Sequence, residues 1–322
     1  MAAYTGIQGQ NILITASDPS NPTEGQIWYN STTNLLKGYA NVVTNAWASG
    51  GNLNTARYAL AGAGTQAAGL GFGGDAGSVS SATELYNGIA WTNGNSMNTA
   101  RLNLAGSGIQ TAGLAFGGRT PTITGAVEKY NGTSWTSVTS MNTARRDLAG
   151  AGIQTSTLAF GGDTGPAITA ATESYNGTSW TTVNSLNTAR HFLGGAGVSN
   201  TSALAFGGYN GTVNLSATES WNGSTWTTLP ATMNTARRQF GSAGTQTAAL
   251  AFGGNPTTTA TEIWNGTSWA TNPTGLATAT QQLAGTGNQT AALGFGGFTT
   301  TFLAATEEWT GQAVQVRTIT TS

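Results

Sequence analysis

Six Gly-Gly pairs, ending at Gly74, Gly118, Gly162, Gly208, Gly254 and Gly297, are followed by a residue that changes from unit to unit: Asp75, Arg119, Asp163, Tyr209, Asn255 and Phe298. A second changing column lies upstream of each pair: Tyr58, Leu102, Arg146, His191, Arg238 and Gln281. A third follows directly on it: Ala59, Asn103, Asp147, Phe192, Gln239 and Gln282. Aromatic rings mixed with Asp, Arg and Asn suit a carbohydrate, because rings stack on sugar faces while planar polar groups bond hydroxyls. The residues expected to bind are Tyr58, Asp75, Arg119, Arg146, Asp163, His191, Phe192, Tyr209, Arg238, Asn255 and Phe298. The competing explanation is drift at positions that packing leaves free.

The same residues supply little for catalysis. Two carboxylates from Asp75, Asp147 and Asp163 could in principle run glycoside hydrolysis, but Asp75 and Asp163 share one column and read as loop residues. His191 is the single histidine, and the chain has no cysteine, which removes thiolate chemistry, disulfides and cysteine-ligated zinc. No phosphate-cradling loop and no HExxH is present. The expectation is no catalytic residue, no metal, no cofactor and no enzymatic activity. Eleven Lys and Arg against twelve Asp and Glu give a net charge of −1, too weak a field for nucleic acid or an anionic membrane. No stretch approaches the roughly 20 apolar residues of a membrane span. The opening "MAAYTGIQGQNILIT" lacks a basic n-region and an apolar run of signal length.

What must position the changing columns is a repeat. The Gly-Gly pairs recur about every 45 residues, and Trp47, Trp91, Trp135, Trp180, Trp226 and Trp269 keep the same beat. That period, with several short strands per unit, predicts propeller blades. In the third unit the strands are read as 145–150, 157–161, 170–175 and one beginning at Trp180. "NGTS" (176–179) joins the last two, read as a type I′ hairpin turn with positive φ at both central residues. The first strand starts where the second ends, so the changing columns fall on one end near the axis. The nearly uniform "NGTS" and "GAGIQT" turns fall on the other. The tryptophans are expected as wedges between blades, and the double glycines as sites of close backbone approach or positive φ. Sustained helical periodicity is missing throughout, so the class is all-β.

Arg57, Arg101, Arg145, Arg190 and Arg237 occupy one column, and Glu84, Glu128, Glu173, Glu219, Glu262 and Glu307 another. Identical copies point to a buried pair tying strands together rather than to a catalytic array. The sixth unit has Thr280 in the arginine column, which leaves Glu307 to find another partner.

A hydrophobic strand ending in Gly-Gly, then an aromatic, then a tryptophan a few residues on, at this period, resembles the kelch repeat over residues 47–311. The resemblance implies a kelch-type β-propeller: six four-stranded blades, the last closed by the strand at Trp47, with a seventh blade from 11–47 as the alternative. Such a propeller can be a copper oxidase, but that site needs histidines and a cysteine–tyrosine link that this chain lacks. Residues 1–46 are set apart as an N-terminal β-hairpin segment, leaving 47–322 to the propeller. "SDPSNPTEGQIWYNSTTNLLKGY" (17–39) resembles a hairpin module of tailed-bacteriophage virion proteins of the tail-fibre type. This implies a virion or extracellular protein whose partners are a host cell-surface glycan or other virion subunits, in a homo-oligomer. The alternative is a cell-derived kelch lectin or protein-interaction scaffold.

Overall fold

The computed structural model describes residues 12–318 apart from 24, 43 and 44. Within them the chain divides into two compact units, one spanning residues 46–310 and the other joining the residues before 46 to those after 310.

The larger unit is a six-bladed β-propeller. Each blade is a four-stranded antiparallel sheet in chain order, the first running Ala61–Gly64, Gly69–Phe72, Thr83–Tyr86, Trp91–Gly94. The sixth takes its outermost strand, Ala46–Ser49, from the start of the unit, and Trp47 pairs with Trp309. The six innermost strands neighbour one another in a closed circle. The ring is therefore complete without residues 12–42, and the alternative seventh blade is not formed.

Small residues allow this closure. The innermost strands read as Ala-Gly alternations, and a Cβ added to Gly106 would stand 2.7 Å from the Gly62 carbonyl of the preceding blade. Only Ser242 carries a side chain in that column, and its hydroxyl donates to the Gly195 carbonyl at 3.1 Å. The tryptophans fill the wider gaps further out. Trp135 of the second blade packs on Phe72 of the first, with centroids 5.0 Å apart, and its indole N–H donates to Thr83 Oγ1 at 2.9 Å. A glutamine in the uniform turn adds a latch between blades: Gln110 Nε2 donates to the carbonyls of Gly69 (2.9 Å) and Tyr86 (2.7 Å).

The repeated charges are structural. Arg57 lies in the segment entering the first blade; its guanidinium donates to Gly73 O (3.0 Å), Ala82 O (2.7 Å) and Glu84 Oε1 (3.0 Å). The other carboxylate oxygen of Glu84 accepts the Asn54 N–H at 2.6 Å. The pair recurs at Arg101–Glu128, Arg145–Glu173, Arg190–Glu219 and Arg237–Glu262, all buried. Burial pulls each guanidinium down from its ordinary value, and the paired carboxylate opposes that.

Three expectations need correction. First, Arg145 lies outside its blade's innermost strand, which is Ala149–Ile153; its guanidinium is drawn to Glu173 and two carbonyls instead of following a ladder. Second, the "NGTS" turn is not type I′. Tyr175 pairs with Trp180 across a four-residue loop in which Gly177 has positive φ (92°) and Asn176 does not. The Asn176 side chain accepts the N–H groups of Thr178 and Ser179, both at 2.9 Å, so a side-chain cap takes over from the second positive φ. Third, the propeller does not extend to 322. The strand Ala313–Thr318 pairs antiparallel with Leu35–Val42.

That pairing belongs to the smaller unit, a sheet in the order Leu13–Thr15, Ile27–Asn30, Leu35–Val42, Ala313–Thr318. The expected hairpin is its middle pair. Trp28 is fully buried there. Asp18 organises the lead-in by accepting from Trp28 Nε1 (3.1 Å), Asn30 Nδ2 (2.8 Å) and Lys37 Nζ (2.7 Å). Bonded first by Lys37 and then by Asn30 and Trp28, its carboxyl is held down to about 2.

Candidate functional site

The changing columns meet at one end of the propeller. Where each blade is entered, a residue of the second column forms a two-way backbone bridge with the residue after Gly-Gly. The pairs are Tyr58–Asp75, Leu102–Arg119, Arg146–Asp163, His191–Tyr209, Arg238–Asn255 and Gln281–Phe298. The double glycine makes the bridge possible. Gly73 and Gly74 have φ of 69° and 95°, and a Cβ on either would press on a backbone carbonyl (Arg101 O at 2.6 Å, Tyr58 O at 2.8 Å).

The third column forms a ring around the axis. Ala59, Asn103, Asp147, Phe192, Gln239 and Gln282 all adopt left-handed conformations, φ 53–57°. Each N–H donates to the carbonyl of its counterpart in the preceding blade, at 2.7–3.0 Å, until the circle closes. Because the ring consumes the backbone groups, the side chains of these residues are left to surround the mouth.

Outside the ring of backbone, a cavity of about 280 Å³ is lined by Tyr58, Leu102, Asn103, Arg119, Arg146, Asp147, His191, Phe192 and Gln282. Five of the eleven residues expected from sequence, Tyr58, Arg119, Arg146, His191 and Phe192, therefore share one cavity. Asp163 joins through Arg146, whose Nε and Nη2 donate to Asp163 Oδ2 at 3.0 and 2.7 Å. Burial pushes the Asp163 carboxyl up, but the Gly165 N–H and the Arg146 guanidinium outweigh it and hold it below the usual range. Phe298 lies against Tyr58, with centroids 5.6 Å apart, and Phe302 stacks on the same ring at 5.2 Å. Burial raises the Tyr58 phenol, with Asp75 adding to the shift and Arg119 opposing it.

Other expected residues are spent on structure. Asp75 Oδ1 caps its own loop by accepting the Gly77 N–H at 2.8 Å. Asn255 Nδ2 donates to Gln281 Oε1 at 2.9 Å. Tyr209 carries the Arg238 guanidinium over its ring, 4.2 Å from the centroid. Asn103, Asp147 and Gln282 line the cavity but were not among the expected binders, although their column was visibly variable. Phe302 was missed as well, although it stands in a fourth changing column five residues before each repeat glutamate: Val79, Ile123, Ile168, Asn214, Thr257 and Phe302.

One group could present ligands to a metal: Asp147, Asp163 and His191 place oxygen or nitrogen atoms within 4.8 Å of one another. Arg146 already lies against both carboxylates, 2.7 Å from Asp163 and 3.5 Å from Asp147. A guanidinium there supplies the positive charge that a cation would, so these residues do not fit a metal centre well.

Comparison with solved structures identifies YjhT as similar in fold, with a TM-score of 0.67 over 82% of this chain and 99% of that chain, at 13% sequence identity. At that identity the likeness shows the fold alone. No family model matches the sequence, and no curated protein matches it.

Proposed function

We propose that the protein is a non-catalytic binding propeller that takes a carbohydrate at the mouth of its axis, and that it serves on a virion as a receptor-binding or structural subunit. One observation carries the binding reading. Outside the five scaffold arginines, nine buried side-chain polar atoms lack a hydrogen-bond partner among the described residues. Six of them belong to the variable end: Asn103 Oδ1, Arg119 Nε, both ring nitrogens of His191, Asn214 Oδ1 and Arg238 Nε. Buried polar atoms are ordinarily satisfied, and an exception calls for an explanation. A polyhydroxylated ligand in the cavity offers donors and acceptors to Asn103, Arg119 and His191, which line it, and the Tyr58–Phe298–Phe302 rings offer an apolar face to a sugar ring.

The distribution of charge supports the same reading. Apart from the Arg and Glu columns, eight charged side chains remain in residues 46–310. Six of these, Asp75, Arg119, Asp147, Asp163, Arg146 and Arg238, belong to the variable end. The virion reading rests on the hairpin's resemblance to tail-fibre modules.

The test is binding of the full-length protein to bacterial surface polysaccharides and whole cells, with a variant carrying Arg119→Ala, Tyr58→Ala and Phe298→Ala as the comparison. Saturable binding lost in the variant, with its melting curve retained, is the expected result. Binding that survives the three changes would move the site elsewhere. An absence of all binding would favour a scaffold whose variable end contacts protein.

A further inference from the structure

Resting on the carbohydrate reading, the geometry points to an acidic sugar: we propose that the cavity holds an anionic substituent of the ligand on Arg119 while the sugar ring lies against Tyr58, Phe298 and Phe302. Three arginines reach this end, and their commitments differ. Arg146 gives two hydrogen bonds to Asp163 and lies 3.5 Å from Asp147. Arg238 is laid over the Tyr209 ring. Arg119 lines the cavity, yet its guanidinium makes no ion pair and no hydrogen bond among the described residues.

A guanidinium that lines a cavity with no ion pair and no hydrogen bond offers its whole charge and its paired donors to an anion. The scaffold arginines show how a guanidinium is completed in this protein: each gives Nη2 to a carboxylate, even though its Nε stays unbonded. The acidic groups of the mouth do not serve Arg119. Asp163 is taken by Arg146, Asp75 caps the Gly77 N–H, and Asp147 lies beside Arg146, Asn103 and His191, with its Oδ2 3.8 Å from His191 Nδ1. Of the two arginines at this end without an ion pair, Arg119 is the one that lines the cavity and makes no ring contact among the described residues, and it is the cation available to a ligand there. A planar guanidinium matches a carboxylate or a sulfate through paired N–H donors.

Position supports the division of labour. Tyr58 and Arg119 line the same cavity, and the Tyr58 phenol feels the Arg119 charge. The Tyr58–Phe302 stack, at 5.2 Å and 27° between planes, is the flattest aromatic contact at this end. A pyranose resting on that platform would carry its charged substituent toward the guanidinium.

The experiment measures binding of full-length protein to oligogalacturonate, to the same oligomer with its carboxyls reduced, to dextran sulfate and to neutral dextran. Arg119→Gln, Arg119→Lys and, as a control away from the site, Lys129→Gln are compared with wild type, with melting curves to establish folding. The expected result is preference for an acidic over its neutral counterpart by about tenfold or more, the scale of one charge-assisted bond. That preference should weaken with salt, vanish in Arg119→Gln, partly return in Arg119→Lys and persist in Lys129→Gln. Carboxylate and sulfate are distinguished by which acidic polymer shows it. Equal binding of acidic and neutral polymers, or acidic binding untouched by Arg119→Gln, overturns the anion subsite and leaves the carbohydrate reading standing. No binding to any of the four polymers overturns the anion subsite; if the surface-polysaccharide panel is also blank, the carbohydrate reading falls with it.

Discussion

The backbone N–H of Ala59 in the first blade donates to the carbonyl of Gln282 in the sixth at 3.0 Å, and this bond closes a circle of six around the propeller axis. Every member of the circle pays for its place with a left-handed backbone conformation, which for residues with a Cβ costs roughly 1–2 kcal/mol. Asn103 and Asp147 tolerate it best, because a short polar side chain bonds locally. Ala59 has no such help, at φ 54°. Ala59→Asn is therefore expected to leave stability unchanged or raise it. Ala59→Val, with a branched Cβ in a region such residues avoid, is expected to lower it by about 1–2 kcal/mol or more. Denaturant midpoints would check this. Equal midpoints for the Asn and Val variants would show that the circle does not impose its conformation.

Removing one half of a buried ion pair should be far more damaging than changing the variable end. Arg145 sits with no exposed surface against Glu173 at 2.9 Å, and two carbonyls also depend on it. Arg145→Met leaves Glu173 buried without its cation, a loss of about 3–5 kcal/mol. Arg119→Gln, by contrast, breaks no side-chain hydrogen bond or ion pair among the described residues and should stay within about 0.5 kcal/mol. Thermal melts of the two variants side by side decide the matter. Comparable losses would mean that the arginine column is no more structural than the variable one.

The fold was legible because its constraints are written six times. Trp135, Phe72 and the Gly73–Gly74 pair each have five counterparts, so period and spacing carried blade number, closure at Trp47 and the Arg–Glu pairs. What was hidden were relations with one copy or with no side-chain letter. The circle of backbone bonds tolerates Ala, Asn, Asp, Phe and Gln alike, since it uses only N–H and C=O groups, so nothing in the letters announces it. The Gln110 latch was in plain view inside "GIQT" but read as turn filler. The strand Ala313–Thr318 pairs with a segment far away in sequence, which no periodicity can report. Of the candidate site, Tyr58, Arg119 and Arg146 stand out by internal variation; Phe302 was overlooked because its column keeps register with the glutamate that follows it, while loops of unequal length separate it from the Gly-Gly pair.

Asp18 gives the smaller unit a distinct acid response. Its carboxyl ordinarily titrates at 3.8 and is held at about 2 by Lys37, Asn30 and Trp28. A depressed carboxylate stabilises the folded state above its unfolded value and ceases to do so as pH falls through its folded one. The unit containing Trp28 should therefore keep this support above about pH 4 and lose it toward pH 2. The Trp28 indole N–H signal in an NMR titration should move in that window. In Asp18→Asn the step should be missing; an unchanged titration in the variant would remove Asp18 from the account.

The sixth blade reverses that sign. Glu307 occupies the glutamate column, but Thr280 stands where the other blades have arginine, so the carboxylate is met by the N–H groups of Ala277 and Thr278 and, among the described residues, by no guanidinium. Burial therefore raises its pKa above 4.5, with those two bonds opposing. The folded state then holds a proton more readily than the unfolded chain, so stability falls as pH rises from about 4.5 through the raised value. Above that value the penalty is fully present. Thr280→Arg should place a guanidinium against Glu307 and within reach of the Gly296 and Ala305 carbonyls, which correspond to the Gly73 and Ala82 carbonyls held by Arg57. It is expected to raise the melting temperature at pH 7 and to flatten this part of the pH profile relative to wild type. The difference between the two profiles cancels groups common to both, so a constant offset with no pH dependence would show that Glu307 is already satisfied without an arginine.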